Sequence, residues 1–299
     1  MNLKSFETKV TGKWILAGEH AVLRGCPALV FPLSSRTLEF KFTPSSQAEG
    51  LKLVLQGEHG GELELLVWGV IEKACELKKI HRNRLSGTIE MTSRIPVGAG
   101  LGASAALSVA LSRWFLALGV INQDEVYEFA RNLENLFHGE SSGVDIAVAM
   151  GGEPLQFVRG GAREPFQPKW QPKWYVSYSG KRGVTVECVN RVKDLIQSNP
   201  SIGNQIDDDM RKAVLMAREA LLLDEKTGLA LLKQSMDLAH SCFVRWGLVE
   251  GVPGQHLQWL RDQGAIAVKP TGSGNGGYCL SLWSKTPPAE ALSRLIPCQ

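Results

Sequence analysis

The chain has 299 residues and a mass of 32.7 kDa, enough for one large or two moderate domains, and 44% of its residues are hydrophobic, so it can bury real cores. Its 33 Lys+Arg against 30 Asp+Glu leave a formal charge of +3, which excludes the basic excess of a chain dedicated to nucleic acid. No apolar run approaches the ~20 residues of a membrane helix, and the start MNLKSFETKVTGKW lacks the basic-then-apolar pattern of a secretory signal. A cytoplasmic protein with no membrane partner is expected. Six scattered cysteines without a CxxC pair argue against a zinc site and against a disulfide framework, and read as reduced, buried thiols.

Along the chain, TLEFKFT (37–43) alternates Leu38, Phe40 and Phe42 with Glu39 and Lys41, which predicts a strand, and LKLVLQ (51–56) predicts a second. GTIEMTSRI (87–95) predicts a third. It runs through PVGAGLG into a helix-forming segment that ends at Gly119. Asn122 reads as the cap of a further helix, with Val126, Phe129, Ala130, Leu133, Leu136 and Phe137 at helical spacing, ending near His138 and Gly139. Prolines and a short QPKW duplication in EPFQPKWQPKW (164–174) suggest a domain junction. Beyond it the pattern predicts a strand at 174–178, helices at 206–223, 226–244 and 256–264, and a closing strand at 278–283. The triplet Asp207-Asp208-Asp209 is expected at a helix start, where acids meet the positive end of the dipole. Strands and helices in both halves suggest a two-domain α+β protein.

Four segments carry chemistry. In PVGAGLGASAA (96–106), Gly98, Gly100 and Gly102 let backbone N–H groups approach an anion at a helix N-terminus. No Gly-Lys-Ser/Thr follows, so it is not a P-loop, and its spacing is not that of a dinucleotide fingerprint. Taken alone, the segment also reads as a flexible turn. A second glycine cluster, KPTGSGNGGYCLSL (269–282), reads as a tight hairpin or as a phosphate-proximal loop. In HGESSGVDIAVAMGG (138–152), Asp145 follows a Ser-Ser-Gly turn; it reads as a partly buried carboxylate that calls for a cationic neighbour, or as a helix cap. In GKWILAGEHAVLRGCPALVFPL (12–33), Lys13 opens the segment and Glu19 and His20 stand side by side after an apolar stretch. Only their grouping lifts these three above solvated or structural side chains.

Together the four segments resemble the GHMP kinase family, with its three motifs in order over nearly the whole chain. Within the family, GEHAVLRGCPAL, ENLFHGESSGVD (134–145) and SMDLAHSCFVRWGLVEGVPG (235–254) are most similar to the mevalonate kinases. The resemblance implies a ribosomal protein S5 domain 2-like N-terminal domain (1–165) and a ferredoxin-like α/β C-terminal domain (166–299), with the active site in the cleft between them. It implies ATP and Mg²⁺ as cofactors and transfer of the γ-phosphoryl to the primary hydroxyl of mevalonate. A phosphomevalonate kinase or another small-molecule kinase of the family is the alternative, for which Arg24, Lys181 and Arg182 are available cations, and a non-catalytic metabolite binder is a second.

Carried over residue by residue, Asp145 is the base and Lys13 the cation that holds it ionised. Pro96, Gly98, Ala99, Gly100, Leu101, Gly102, Ala103 and Ser104 form the ATP loop. Ser104 and Glu134 match the Mg²⁺ ligands. Glu19, His20, Thr185, Thr271 and Gly272 bind the substrate. Mevalonate and ATP are the partners, with a homodimer as the assembly considered. Departures from the family pattern are Ala103 for a serine, Ser141 for a common proline, Asn275 for a glycine and Tyr278 for a cysteine. Asn275 can still adopt positive φ.

Overall fold

The computed structural model describes residues 4–45, 50–56, 60–138 and 141–298. Contacts divide the chain into two units: Met1–Gly12, Arg36–Val97 and Gly102–Gly152 form the first, and Lys13–Ser35, Gly98–Leu101 and Glu153–Gln299 the second. The chain passes from one to the other inside two long strands, β1 (Phe6–Ala17) and β2 (Ala28–Pro44). These interleaved units differ from a single cut at 165 and 166, which stands as a proposal about how the motifs divide. The proline-rich stretch 164–174 lies wholly within the second unit.

In the first unit, β3 (Leu51–Gln56) lies parallel to β4 (Gly87–Ser93), and β4 pairs antiparallel with the second half of β2, Leu38 opposite Ser93. Parallel neighbours need a crossover. Here it is α1 (Gly60–Leu77), whose buried Val67, Val70, Ile71, Ala74 and Cys75 repeat at helical spacing. The helices α2 (Ala103–Ala117), α3 (Val126–His138) and α4 (Val144–Gly151) complete this unit. Trp114 of α2 fixes helix to sheet, with its ring 5.7 Å from that of Phe40 and 4.9 Å from that of Phe42. Asn122 caps the turn before α3 as expected, in a reciprocal capping box with Glu125. Gly139, part of the expected helix end, lies outside the described residues.

In the second unit, β2 begins by pairing antiparallel with β5 (Leu155–Phe157), which pairs with β6 (Arg163–Pro165). A separate four-stranded sheet has the order β10-β7-β9-β8, from β7 (Lys173–Tyr178), β8 (Ala267–Pro270), β9 (Tyr278–Trp283) and β10 (Ile296–Pro297). Its helices are α5 (Thr185–Ser198), α6 (Pro200–Leu222), α7 (Glu225–Arg245), α8 (Val252–Asp262) and the short α9 (Ala289–Leu292). Trp14 stacks on Phe31 with ring centroids 4.4 Å apart, and Trp174 meets both rings edge-on. Leu257, Leu260, Val268, Cys279 and Trp283 form a core under α8.

The expected helix start at Asp207-Asp208-Asp209 is corrected. Helix α6 begins at Pro200, so the triplet sits in mid-helix. Two of its acids serve as ion-pair partners: Asp207 accepts two hydrogen bonds from Arg24, at 2.5 and 2.6 Å, and Asp209 accepts one from Arg245 at 2.8 Å. All six cysteines are buried and unbridged. No helix among the described residues is long and apolar enough to cross a membrane.

Candidate functional site

The first unit carries the start of α2 and the segment around α4. Gly102 is the N-cap of α2 at φ 81°, with no side-chain cap of its own and no acid in the first turn. Such a terminus suits an anion. Ser104 lies half-buried in that first turn and Pro96 half-buried at the entry to the loop. Glu134 on α3 is 1% exposed, and its Oε2 accepts a short hydrogen bond from the Ser141 hydroxyl. That hydroxyl accepts in turn from the Gly143 N–H at 3.0 Å, while the Ser141 N–H donates to Asn135 Oδ1 at 2.8 Å. Serine at this departure from the family pattern therefore has a task that proline could not perform. Asp145 stands in the first turn of α4, half-buried, after the αL cap Gly143. There the positive end of the helix favours a carboxylate.

Ser104 and Glu134 are hard oxygen donors of the kind Mg²⁺ takes, and Mg²⁺ characteristically keeps few protein ligands and fills its shell with phosphate oxygens and water. Among the described residues no group of three His, Cys, Asp or Glu forms a self-contained metal cage. By chemistry, each of the two is a donor that fits Mg²⁺ arriving with a nucleotide.

The second unit carries Gly98, Ala99, Gly100 and Leu101, packed within that unit against the hairpin loop between β8 and β9. The Ala99 carbonyl accepts from the Tyr278 N–H at 3.3 Å, and the Leu101 carbonyl from the Lys13 N–H at 2.9 Å. A Cβ on Gly272 would meet Gly100 at 3.4 Å. Gly98 adopts φ 67°, and the Arg182 guanidinium lies over it, 2.4 Å from where a Cβ would stand. Of the two alternatives for residues 269–282, the hairpin is present, since Pro270 pairs with Cys279, and its loop abuts the first glycine loop. Asn275 adopts φ 54°, as its residue type allows.

Lys13 lies on β1 and is 3% exposed. After β1 the chain turns at Gly18, φ 108°, where a Cβ would lie 2.4 Å from the Ala28 Cα. This close approach sets up Glu19 and His20, both buried. His20 is held at φ 59° and ψ −49°, a strained conformation for a side-chain-bearing residue. Its Nε2 lies 2.8 Å from the Ser273 carbonyl. A carbonyl only accepts, so Nε2 carries the proton and Nδ1 is left as an acceptor. Burial lowers the imidazole to about 4, which keeps it neutral at pH 7.

Glu19 Oε1 meets the Lys269 ammonium at 2.5 Å. Burial pushes the Glu19 carboxyl up and the Lys269 ammonium down, and their mutual contact opposes both shifts. Glu19 Oε2, His20 Nδ1 and Trp246 Nε1 are buried without a hydrogen-bond partner among the described residues. The Trp246 ring centroid is 5.1 Å from that of His20. The Thr271 hydroxyl donates to the Ile15 carbonyl at 3.0 Å and accepts from the Ile15 N–H at 2.8 Å, clamping β1 to the loop. Thr185 opens α5, with its hydroxyl 3.5 Å from that of Ser273.

The sequence reading passed over three residues here. Lys269 could have been flagged as a charge in the apolar run AIAVKP, since a lysine buried in a strand demands a partner. The roles of the Ser273 carbonyl and of Trp246 leave no signal in residue type.

Residues 66–153 match the family model of the GHMP kinases N terminal domain. The mevalonate kinase of Pyrococcus horikoshii is 32% identical over 293 residues, covering 90% of this chain and 86% of the relative. The chain belongs to the GHMP kinase family. A second relative of this GHMP kinase, the mevalonate kinase of Thermococcus gammatolerans, is also 32% identical, over 295 residues, with the same coverage of both chains. Among solved structures the GHMP kinase is similar to the L. major mevalonate kinase, solved in complex with R-mevalonate, at 25% identity and a TM-score of 0.77; the match covers 94% of this chain and 88% of that one. The two-domain fold of the family is thus that of this chain.

Proposed function

We propose that this GHMP kinase is a mevalonate kinase, transferring the γ-phosphoryl of ATP to the primary hydroxyl of mevalonate to give 5-phosphomevalonate and ADP. What supports this most is similarity to mevalonate kinases at about a third identity across nine-tenths of the chain. In the step, the acceptor oxygen forms a bond to the γ-phosphorus as the bond to the ADP oxygen breaks, and the hydroxyl proton passes to Asp145. Lys13 supplies positive charge for the developing alkoxide. Residues 98–104 hold the phosphates through backbone N–H groups, and Glu19, His20, Thr185, Thr271 and Gly272 hold mevalonate. Ser104 and Glu134 would hold Mg²⁺, which would supply charge neutralisation for the transferred phosphoryl group. The enzyme works in the cytoplasm on these small molecules.

The test is ADP release by the purified protein with ATP and Mg²⁺, comparing mevalonate, 5-phosphomevalonate, galactose and homoserine. Turnover confined to mevalonate is expected. Turnover with another acceptor would replace the substrate, and silence with all four alongside ATP binding would replace catalysis by binding alone.

A further inference from the structure

Lys269 is wholly buried on β8, and the reaction as written above makes no use of it. Its ammonium has three protons to donate. Three acceptors surround it: Glu19 Oε1 at 2.5 Å, the Pro270 carbonyl at 2.6 Å and the Ile15 carbonyl at 3.4 Å, with the Phe243 ring centroid at 5.2 Å. The ammonium is therefore saturated by the protein and has nothing left to offer a ligand. What it leaves over belongs to Glu19. One carboxylate oxygen is pinned, and the other is buried with no donor among the described residues.

An unmatched buried acceptor is costly, and this one belongs to a carboxylate whose other oxygen is ion-paired. The neighbouring residue repeats the pattern: the Ser273 carbonyl takes the Nε2 proton of His20, and Nδ1 is left a buried acceptor without a donor. Two adjacent residues thus each have one polar atom fixed by the loop at 269–273 and a second atom waiting for a proton donor. A hydroxyl supplies such a proton; a carboxylate or phosphate oxygen does not.

We propose that Lys269 is a positioning residue for the acceptor: it fixes Glu19 Oε1 so that Oε2 is left to accept a hydrogen bond from an acceptor hydroxyl. This rests on the reading of the chain as a kinase of a hydroxyl-bearing acceptor. It deepens that reading by joining the third glycine motif to acceptor recognition through one buried ion pair.

The test compares wild type, Lys269→Met, Glu19→Gln and the double variant for kcat/KM with mevalonate, KM for ATP, and Tm. Each single change is expected to lower kcat/KM for mevalonate about 100-fold, the scale of a hydrogen bond to a charged group. The KM for ATP should stay within about threefold, since only acceptor binding is addressed, and the double variant should be no worse than Glu19→Gln. Multiplying effects in the double variant, wild-type kcat/KM in Lys269→Met, or an equal loss toward ATP would overturn the proposal. Where Lys269→Met does not fold, the double variant leaves no unpaired buried charge and carries the comparison against Glu19→Gln: equal values support the proposal and a further drop contradicts it.

Absence of wild-type turnover with mevalonate would sink the functional reading by itself. The tie between Lys269 and Glu19 is then read by isotope-edited infrared spectroscopy. The carboxylate band that Glu19→Gln removes must shift in Lys269→Met, and an unmoved band overturns the proposal whatever the acceptor.

Discussion

The two units hold their candidate residues in opposite ways. In the first, Ser104 and Asp145 sit in the first turns of helices, Ser141 just before one and Glu134 in the second half of α3, and the contacts that hold Glu134 and Ser141 join residues two to seven positions apart. In the second, Glu19 meets Lys269 across 250 positions, His20 meets Ser273 across 253, and Ile15 meets Thr271 across 256. The local half is an arrangement of turns that any reader of motifs can find. The distant half is a set of buried polar pairs, each of which exists only once the chain has folded. Mutations should therefore separate them: changes in the distant half cost more stability, together with acceptor recognition, while changes in the local half cost less stability and act on chemistry.

The largest stability effect is expected for Lys269→Met, which strips a partner from a fully buried carboxylate. Loss of one member of a buried pair costs about 3–5 kcal/mol. Chemical denaturation checks this, and a loss below about 1 kcal/mol would mean that water reaches Glu19. Next is the acid limb of stability. Burial holds His20 at about 4 against an ordinary 6.5, so the unfolded chain takes up its proton first as the pH falls. The stability that a neutral His20 contributes is intact above pH 6.5 and lost between 6.5 and 4, by about 3 kcal/mol at about 1.4 per pH unit. His240 and His256 are also lowered by burial, so the measurement is the difference between wild type and His20→Gln, which should flatten the slope in that window.

A smaller effect is expected in the local half. Ser141→Ala removes the donor to Glu134 and should cost about 1–3 kcal/mol. It should also raise the Mg²⁺ concentration needed for half-maximal turnover several-fold. An unchanged Mg²⁺ requirement would remove Glu134 from the metal site. The smallest effect is Arg24→Gln. Although it breaks a two-bond pair with Asp207, that pair is partly solvated and should be worth within about 1 kcal/mol.

Much of this contrast decides what the sequence can tell. Strands β3, β4, β7 and β9 and helices α2, α3 and α7 are legible because their apolar periods are strong and their ends carry glycine or capping residues. Helix α5 escapes because only Cys188 and Val192 are buried along it, too thin a stripe for a periodic signal. The start of α6 is obscured by Asn199-Pro200, which reads as a turn but places proline at the first helical position. Helix α1 was legible in principle, since a parallel pair of β3 and β4 requires a crossover. The motif residues of the site stand out by type and spacing. The pinned oxygens, the tautomer of His20 and the fit of Arg182 over Gly98 depend on residues far apart in the chain, and no local pattern encodes them.

The most direct test of the account is steady-state turnover of mevalonate by Asp145→Asn beside wild type, with nucleotide binding and Tm measured on both. Asp145 is half-buried at a helix start, so the account predicts an unchanged fold, unchanged ATP binding, and kcat lower by about 10²–10⁴-fold, the range for loss of a general base. Turnover at the wild-type rate in that variant would contradict it, because the acceptor proton would then be leaving by another route.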